Sequence, residues 1–284
     1  MKNTMRKIGT IVLVLILTAT MLPTARAAGN EEWTNNVLTS DPLGTFDIKL
    51  SKIASVTFLD STENAPRNRW HMGAGSSRSV LGWIEWNDGY ADVYFAADGG
   101  INAEKCAVGL FQGCENLVEI DFNDAFHTEH CTSMQDMFYG CASLRELDLS
   151  SFDTSNVESM YGMFRDCASL KELDVSSFDT SNVKTMYTMF STCTHLTELD
   201  LSGFDTGKVT NMGFMFSACR RLEDVDVNGF DTAKVTNMEG MFRWCDEIED
   251  LDLKGWNISR VRNYTGFMND GMHINGRPWI EFFE

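Results

Sequence analysis

The segment ELDLSSFDTSNV, residues 146–157, recurs as ELDVSSFDTSNV, residues 172–183, with a single residue changed. Cysteines repeat at the same interval of 26 residues, and one more lies 27 residues before the first of them. These cysteines are Cys114, Cys141, Cys167, Cys193, Cys219 and Cys245. A fixed period between about 20 and 50 residues is typical of repeat architectures. We therefore number the positions of each repeat from its cysteine, which is position zero.

Apolar residues occupy fixed positions in every repeat. Leu144, Leu147 and Leu149 stand at +3, +6 and +8 of one repeat, which is the L-x-x-L-x-L pattern of a leucine-rich-repeat strand. An aromatic residue follows at +11, a valine at +16 and the motif M-x-x-M-F at +19 to +23, a spacing typical of a short helical turn. The predicted fold class is therefore an α/β repeat. It is a right-handed leucine-rich-repeat solenoid of about six coils over residues 103–270, with a parallel sheet on one face and short helical turns on the other.

Both ends of the repeat region are predicted to be covered, because the end of a repeat array exposes its core. Residues 28–102 are predicted to form a small β-rich N-terminal capping region. Within them, Ser79–Trp86 and Tyr90–Ala96 alternate in polarity around the turn residues Asn87–Gly89, which predicts a hairpin. Residues 271–284, which end in PWIEFF and a final glutamate, are predicted to form the C-terminal cap.

Residues 1–27 are predicted to be a signal peptide. Three basic residues precede the apolar run 8–17, and Ala25-Arg26-Ala27 has the small-x-small pattern of a cleavage site. The formal charge of the whole chain is −18. This segment holds four basic and no acidic residues, so the chain without it would carry −22. Such a charge argues against nucleic acid and anionic membranes as partners. We expect a secreted, monomeric protein that does not insert into a membrane after cleavage and carries no sorting motif or hydrophobic tail at its end.

The repeated cysteines are predicted to be buried thiols rather than disulfides. Equivalent residues of adjacent coils lie about 4.8 Å apart with parallel side chains, whereas a disulfide requires Cβ atoms that approach to about 3.8 Å and point toward each other. Cys106 and Cys131 form the pair to test if any disulfide exists. The stretch AFHTEHC contains His127, Glu129, His130 and Cys131, which are zinc-ligand types. A surface loop with two unrelated histidines is the alternative.

The repeat MYGMFRDCASLKELDVSSFDTSNV, residues 160–183, resembles that of the BspA-like leucine-rich-repeat surface proteins of bacteria. The resemblance covers residues 103–270. The N-terminal stretches IASVTF, SVLGWIEW and DVYFAADGGI also resemble the region that precedes the repeats in that family. Membership implies an exported or cell-surface binding protein, often linked to adhesion, and implies no reaction.

No catalytic motif is found, so the leading expectation is a secreted or cell-surface module that binds a protein or another cell-surface partner without catalysis. The alternative is a structural, cation-binding scaffold of the cell envelope. An enzyme with a site in the N-terminal cap, around Trp70, His71, Trp83 and Trp86, is the distant alternative.

Acidic residues at +5 and +7 are the candidate binding site. On a strand they flank the inward residue at +6 and share the outer face, so repetition turns them into two columns of carboxylates. The candidate residues for a basic partner or for weak calcium binding are Glu146, Asp148, Glu172, Asp174, Glu198, Asp200, Asp224 and Asp226. A solvated face without a ligand is the alternative. No other cofactor is expected.

Overall fold

The computed structural model describes residues 50–67, 69–71, 80–103 and 107–284. The predicted signal peptide, the first part of the predicted cap and Cys106 lie outside the described residues. Within the described residues, the regular structure consists of twelve strands, most of them two or three residues long, and two short 3-10 helices, Leu50–Lys52 and Trp279–Phe282. Neither of these helices has the length and apolar composition needed to cross a membrane.

The N-terminal region contributes the longest strands. β1 (Ile53–Leu59), β2 (Trp70–His71), β3 (Leu81–Asn87) and β4 (Tyr90–Ala96) join with β6 (Glu119–Asp121) in one sheet of order β2-β3-β4-β1-β6. β3 and β4 form the predicted hairpin, with Asn87 opposite Tyr90 and a two-residue turn whose Asp88 and Gly89 both have positive φ. β6 is the strand of the first repeat, so this sheet joins the N-terminal region directly to the repeats.

The repeats pack side by side through columns of identical residues. Phenylalanine rings of successive repeats stack at centroid distances of 5.1–5.7 Å. These rings belong to Phe111, Phe138, Phe164, Phe190, Phe216 and Phe242. The leucine, valine and methionine positions read from the sequence are buried in the same continuous core. Burial of the periodic apolar residues is therefore confirmed.

The predicted α/β solenoid class is wrong. The described residues are β-structure and turns with almost no helix, and their strands belong to four small separate sheets rather than to one parallel sheet. Besides β6, the described repeats supply only β7 (Phe126–His127), the pair β8 (Glu198–Asp200) and β9 (Asp224–Asp226), and β10 (Asp250–Leu251). The segments 146–148 and 172–174 are not strands at all, although their sequences match the same pattern.

The M-x-x-M-F segments are not helical because every second backbone N–H bonds the next repeat, while the N–H groups between them close three-residue turns within the segment. The N–H groups of Met160, Gly162, Phe164 and Asp166 donate to the carbonyls of the following repeat, at 2.8–3.2 Å. The residues five before and one before each cysteine adopt positive φ, between 54° and 64° from Gly162 to Trp244. Left-handed residues at both places are incompatible with a right-handed helix. Residue spacing alone does not reveal this alternation.

A column of buried threonines completes the interior. Thr154 and Thr180 are only 1% exposed, and each hydroxyl donates to the backbone carbonyl of the next repeat at 3.0 Å, Thr154 to Asp179 and Thr180 to Asp205. The column as a whole comprises Thr128, Thr154, Thr180, Thr206 and Thr232. The threonine that follows Phe-Asp in the repeated segment therefore links each repeat to the next through a buried hydrogen bond.

The cysteine column is confirmed as buried thiols. Cys114, Cys141, Cys167, Cys193, Cys219 and Cys245 are all buried and unbridged. From Cys141 onward, each Sγ lies 3.0–3.2 Å from the carbonyl oxygen of a phenylalanine, as Cys167 does from that of Phe138. Cys131 is also buried, and its proposed pairing with Cys106 lies outside the described residues.

The C-terminal end is closed by β10, β11 (His273–Ile274) and β12 (Arg277–Pro278), which form one small sheet. β5 (Ile101–Asn102) pairs with β7 (Phe126–His127) near the other end. An aromatic cluster covers the last repeat, with the rings of Tyr264 and Phe283 stacked at 4.5 Å. These contacts have the character expected of a cap.

Candidate functional site

All eight predicted site residues are exposed on one side of the repeats. In β8 and β9 the burial pattern is exposed-buried-exposed, so the +5 and +7 side chains flank the inward residue at +6. The pairing of β8 and β9 places Glu198 opposite Asp224 and Asp200 opposite Asp226. We call the carboxylates Glu119, Glu146, Glu172, Glu198, Asp224 and Asp250 the +5 row. The +7 row is Asp121, Asp148, Asp174, Asp200, Asp226 and Asp252.

Both rows end at the N-terminal region. β1 pairs in parallel with β6, with Ser55 opposite Glu119 and Thr57 opposite Asp121. The next carboxylate in line with the +5 row is Asp92 on β4, which accepts a hydrogen bond from the Ser55 hydroxyl at 2.8 Å. The hydroxyl residues of β1 therefore interrupt the two acidic rows.

The +7 row has a local structural role, because each of its carboxylates accepts a nearby backbone N–H. Asp148 accepts the backbone N–H of Ser150 at 3.0 Å, and Asp174 and Asp200 accept those of Ser176 and Ser202 at 2.9 Å. The same contact is made by Asp121, Asp226 and Asp252. These contacts are Asx-type turns, which hold the carboxylates in place at the end of each strand.

These hydrogen bonds also decide the protonation of the +7 row. Bonds from Ser176 lower the pKa of Asp174, and the pKa values of Asp148 and Asp200 are lowered by bonds from Ser150 and Ser202. Neighbouring aspartates act in the opposite direction, since Asp174 raises the pKa of both Asp148 and Asp200, but this is the smaller effect. Asp148, Asp174 and Asp200 therefore keep their negative charge despite the repetition.

The +5 row differs because most of its members have no local partner. Among the described residues, the carboxylates of Glu146, Glu172 and Glu198 make no hydrogen bond or ion pair. Asp250 is the exception, since both of its oxygens accept the N–H of Gly276 at 3.0–3.1 Å. The glutamates of this row are thus available to a ligand, whereas Asp250 fixes the C-terminal turn.

The two rows line open grooves between repeats. One of them, about 650 Å³, lies between segments 145–150 and 171–177, where Glu146, Asp148, Glu172 and Asp174 line it. Arg145 and Lys171 at position +4 also line it and place two positive charges beside these carboxylates. A groove of about 370 Å³ between β9 and β10 is lined instead by Glu223, Asp224, Asp226, Asp250 and Asp252. Negative charge is therefore denser in this groove than in the one that Arg145 and Lys171 line, and the groove between the first two repeats, lined by Glu119, Asp121, Asp124, Glu146 and Asp148, is also without a basic residue.

The alternative sites have less support. In the part of the chain that is described, no group of three or more His, Cys, Asp or Glu side chains is placed to hold a metal ion. Within the suggested zinc stretch, Cys131 is buried, His127 lies 3.2 Å from the carbonyl of Gly99, and His130 lies 3.8 Å from Glu129. In the cap, Trp83 is 5% exposed and its ring stacks on that of Tyr94 at 5.2 Å, so it is a packing residue.

Comparison with known families gives one match. Residues 107–201 and 198–279 match the family described as "Mycoplasma protein of unknown function, DUF285". These two segments together contain all eight candidate site residues. No curated protein and no solved structure matches the chain.

Proposed function

The chain belongs to the DUF285 family, and from that premise we propose that it is an exported, non-catalytic binding module whose two acidic rows engage a basic protein surface. The observation that carries the proposal is the exposure of twelve carboxylates in two rows on one side of the repeats. Like charges at such spacing repel one another, by roughly 1 kcal/mol per pair at 4–5 Å even in water. A cationic partner relieves that repulsion and gains affinity from it.

The two rows contribute differently to this proposed contact. The +7 carboxylates are held by backbone N–H groups, so little side-chain entropy is lost when they bind. The +5 glutamates Glu146, Glu172 and Glu198 reach from the same face without partners of their own. A fixed row beside an adaptable row suits a protein surface with irregularly placed lysine and arginine side chains.

A protein partner fits better than the cation-binding scaffold. Calcium needs six to eight oxygen ligands that converge on one point. Each +7 carboxylate uses one oxygen to accept a backbone N–H. The described residues also contain no group of three acidic side chains placed to hold a metal ion. Export and the BspA-like resemblance belong to the same proposal, because surface proteins of that kind bind partners outside the cell.

The test measures binding of a synthetic lysine-rich peptide to the full chain by isothermal titration calorimetry. The variant replaces Glu172→Gln, Asp174→Asn, Glu198→Gln and Asp200→Asn. Each exposed ion pair contributes roughly 0.2–1 kcal/mol, so the variant should bind the peptide about tenfold or more weakly. Binding by the unsubstituted chain should also weaken as salt rises from about 20 to 150 mM, because exposed pairs are screened.

The matched control removes the same charge elsewhere. Asp153, Asp179, Asp205 and Asp231 at +12 accept backbone N–H groups two residues on, and Asn257 makes the same contact in the last repeat. Replacing these four aspartates with asparagine should therefore preserve the turns and change peptide affinity less than twofold. Equal loss in both variants would show that net charge alone binds the peptide. Calcium uptake that responds to the first variant, without peptide binding, would favour the scaffold.

A further inference from the structure

Trp244 is the feature of the described structure that packing does not explain. Its side chain is 45% exposed, and the residue closely follows the M-x-x-M-F motif in the sequence. The Arg243 guanidinium lies 4.3 Å from the ring centroid and covers one face. Such a contact holds an indole ring in a fixed orientation. The other face has no aromatic partner among the described residues.

The backbone at Trp244 is strained for a residue of this size. Its φ is 62°, a left-handed conformation that costs an ordinary L-residue roughly 1–2 kcal/mol. Glycine, aspartate, threonine and alanine occupy the equivalent place in earlier repeats, as Gly140, Asp166, Thr192 and Ala218. A tryptophan here adds both strain and exposed apolar surface. Strain of this kind is a reason to look for function.

The hydrogen bonding of the repeat also changes at this residue. In earlier repeats the equivalent N–H donates to a backbone carbonyl of the next repeat, as Ala218 does to Arg243 at 2.7 Å. The N–H of Trp244 donates instead to the side-chain oxygen Oδ1 of Asn269 at 2.8 Å. The Asn269 amide contacts Asp246 at 3.4 Å, and Arg220 donates to the same carboxylate at 2.8 Å. An aromatic ring and a polar network thus lie together.

We propose that Trp244, with Asp246, Asn269 and Arg220, forms a binding site for a neutral carbohydrate. The exposed ring face packs against the C–H face of a sugar, which carries partial positive charge toward the ring. Carboxylate, amide and guanidinium groups accept from and donate to sugar hydroxyls. The charges of Asp246 and Arg220 balance each other, and the Arg243 guanidinium lies over the ring face opposite to the one proposed for the ligand, so the ligand side suits an uncharged molecule. This site is separate from the acidic rows.

The test is a glycan array probed with the full chain and three variants. Trp244→Gly removes the ring and relieves the strained backbone, so it should fold and lose at least tenfold in binding to a neutral oligosaccharide. Asp246→Asn should lose severalfold on the same glycan because the network changes. Tyr90→Ala is the matched control, since Tyr90 is 41% exposed with Lys52 5.2 Å from its ring centroid in the N-terminal region. It should bind as the unsubstituted chain does.

Several results would overturn the proposal. These are binding of no neutral glycan on the array, binding confined to sulfated or sialylated glycans, and binding that survives Trp244→Gly. Loss in Trp244→Gly together with a lowered melting temperature would also count against it, because the ring would then be a packing residue. Loss of binding with an unchanged or raised melting temperature supports it.

Discussion

At the positive-φ positions of each repeat, the contribution of a single residue to stability can be measured. Two such positions occur in each M-x-x-M-F turn, and the residues found there range from glycine to tryptophan. Glycine adopts this conformation without the steric cost that a Cβ imposes. The turn sequence therefore varies in stability from repeat to repeat, although its backbone is the same.

Ala218→Gly should stabilise the protein. Ala218 has φ 62°, and the equivalent residue of an earlier repeat is already Gly140. Removing the Cβ relieves roughly 1 kcal/mol of strain, less a few tenths for the freer unfolded chain. Chemical denaturation should show a higher free energy of unfolding. Ala142→Gly is the control, because Ala142 has no positive φ, and it should destabilise by about 0.5–1 kcal/mol. A change in the free energy of unfolding that has the same sign in Ala218→Gly and Ala142→Gly would contradict this account.

The individual elements show where sequence patterns are informative. The 26-residue period predicted which side chains are buried, because Leu144, Leu147 and their equivalents recur at every repeat. The hairpin of β3 and β4 was also predictable, since its turn residues Asp88 and Gly89 tolerate positive φ. Outward placement of the +5 and +7 carboxylates followed from the same alternation of side chains.

Other elements were not predictable from the pattern. Inward methionines at +19 and +22 suit a helical turn and a turn with alternating left-handed residues equally well. The difference lies in whether Phe164 bonds its own segment or the next repeat, and composition does not record this. Nor did the pattern show that β1 lies between β4 and β6, because that pairing joins residues more than sixty positions apart. The +7 hydrogen bonds, by contrast, join residues only two positions apart, so the D-x-S pattern was sufficient to predict them.

The sheet shared by β1 and β6 should couple the N-terminal region to the repeats. Phe58 of β1 is buried and contacts the rings of Phe95, Phe111, Phe122 and Phe126 at 4.8–6.4 Å. Phe58→Ala should lower the free energy of unfolding by about 3–5 kcal/mol. Because these rings belong to both parts, hydrogen exchange should accelerate in β3–β4 and in the first repeat together. Val118→Ala shortens a side chain that is 47% exposed, so it should change neither the free energy of unfolding nor the exchange rates. Faster exchange confined to β3–β4 would show that the two parts unfold separately.

At the scale of the whole molecule, the buried thiol column ties stability to alkaline pH. Burial raises the pKa of Cys114 and Cys219 to about 12, and it raises those of Cys141, Cys167, Cys193 and Cys245 well above the ordinary range. An unfolded chain releases these protons near pH 8.5, whereas the folded chain retains them. The stability associated with the thiols is therefore fully present below pH 8.5 and is lost as pH rises above it.

The expected loss of stability is large because all six thiols of the column contribute to it. Each buried thiol contributes about 1.4 kcal/mol per pH unit between the two pKa values, so the column should make the free energy of unfolding fall steeply between pH 9 and 11. Urea denaturation in a reducing buffer at successive pH values measures this slope. The double variant Cys167→Ala with Cys193→Ala removes two of the six column thiols, so the column's contribution to the slope should fall by about one third. An unchanged slope in that variant would mean that other groups, such as Tyr94 and Tyr187 with their raised pKa values, govern alkaline unfolding.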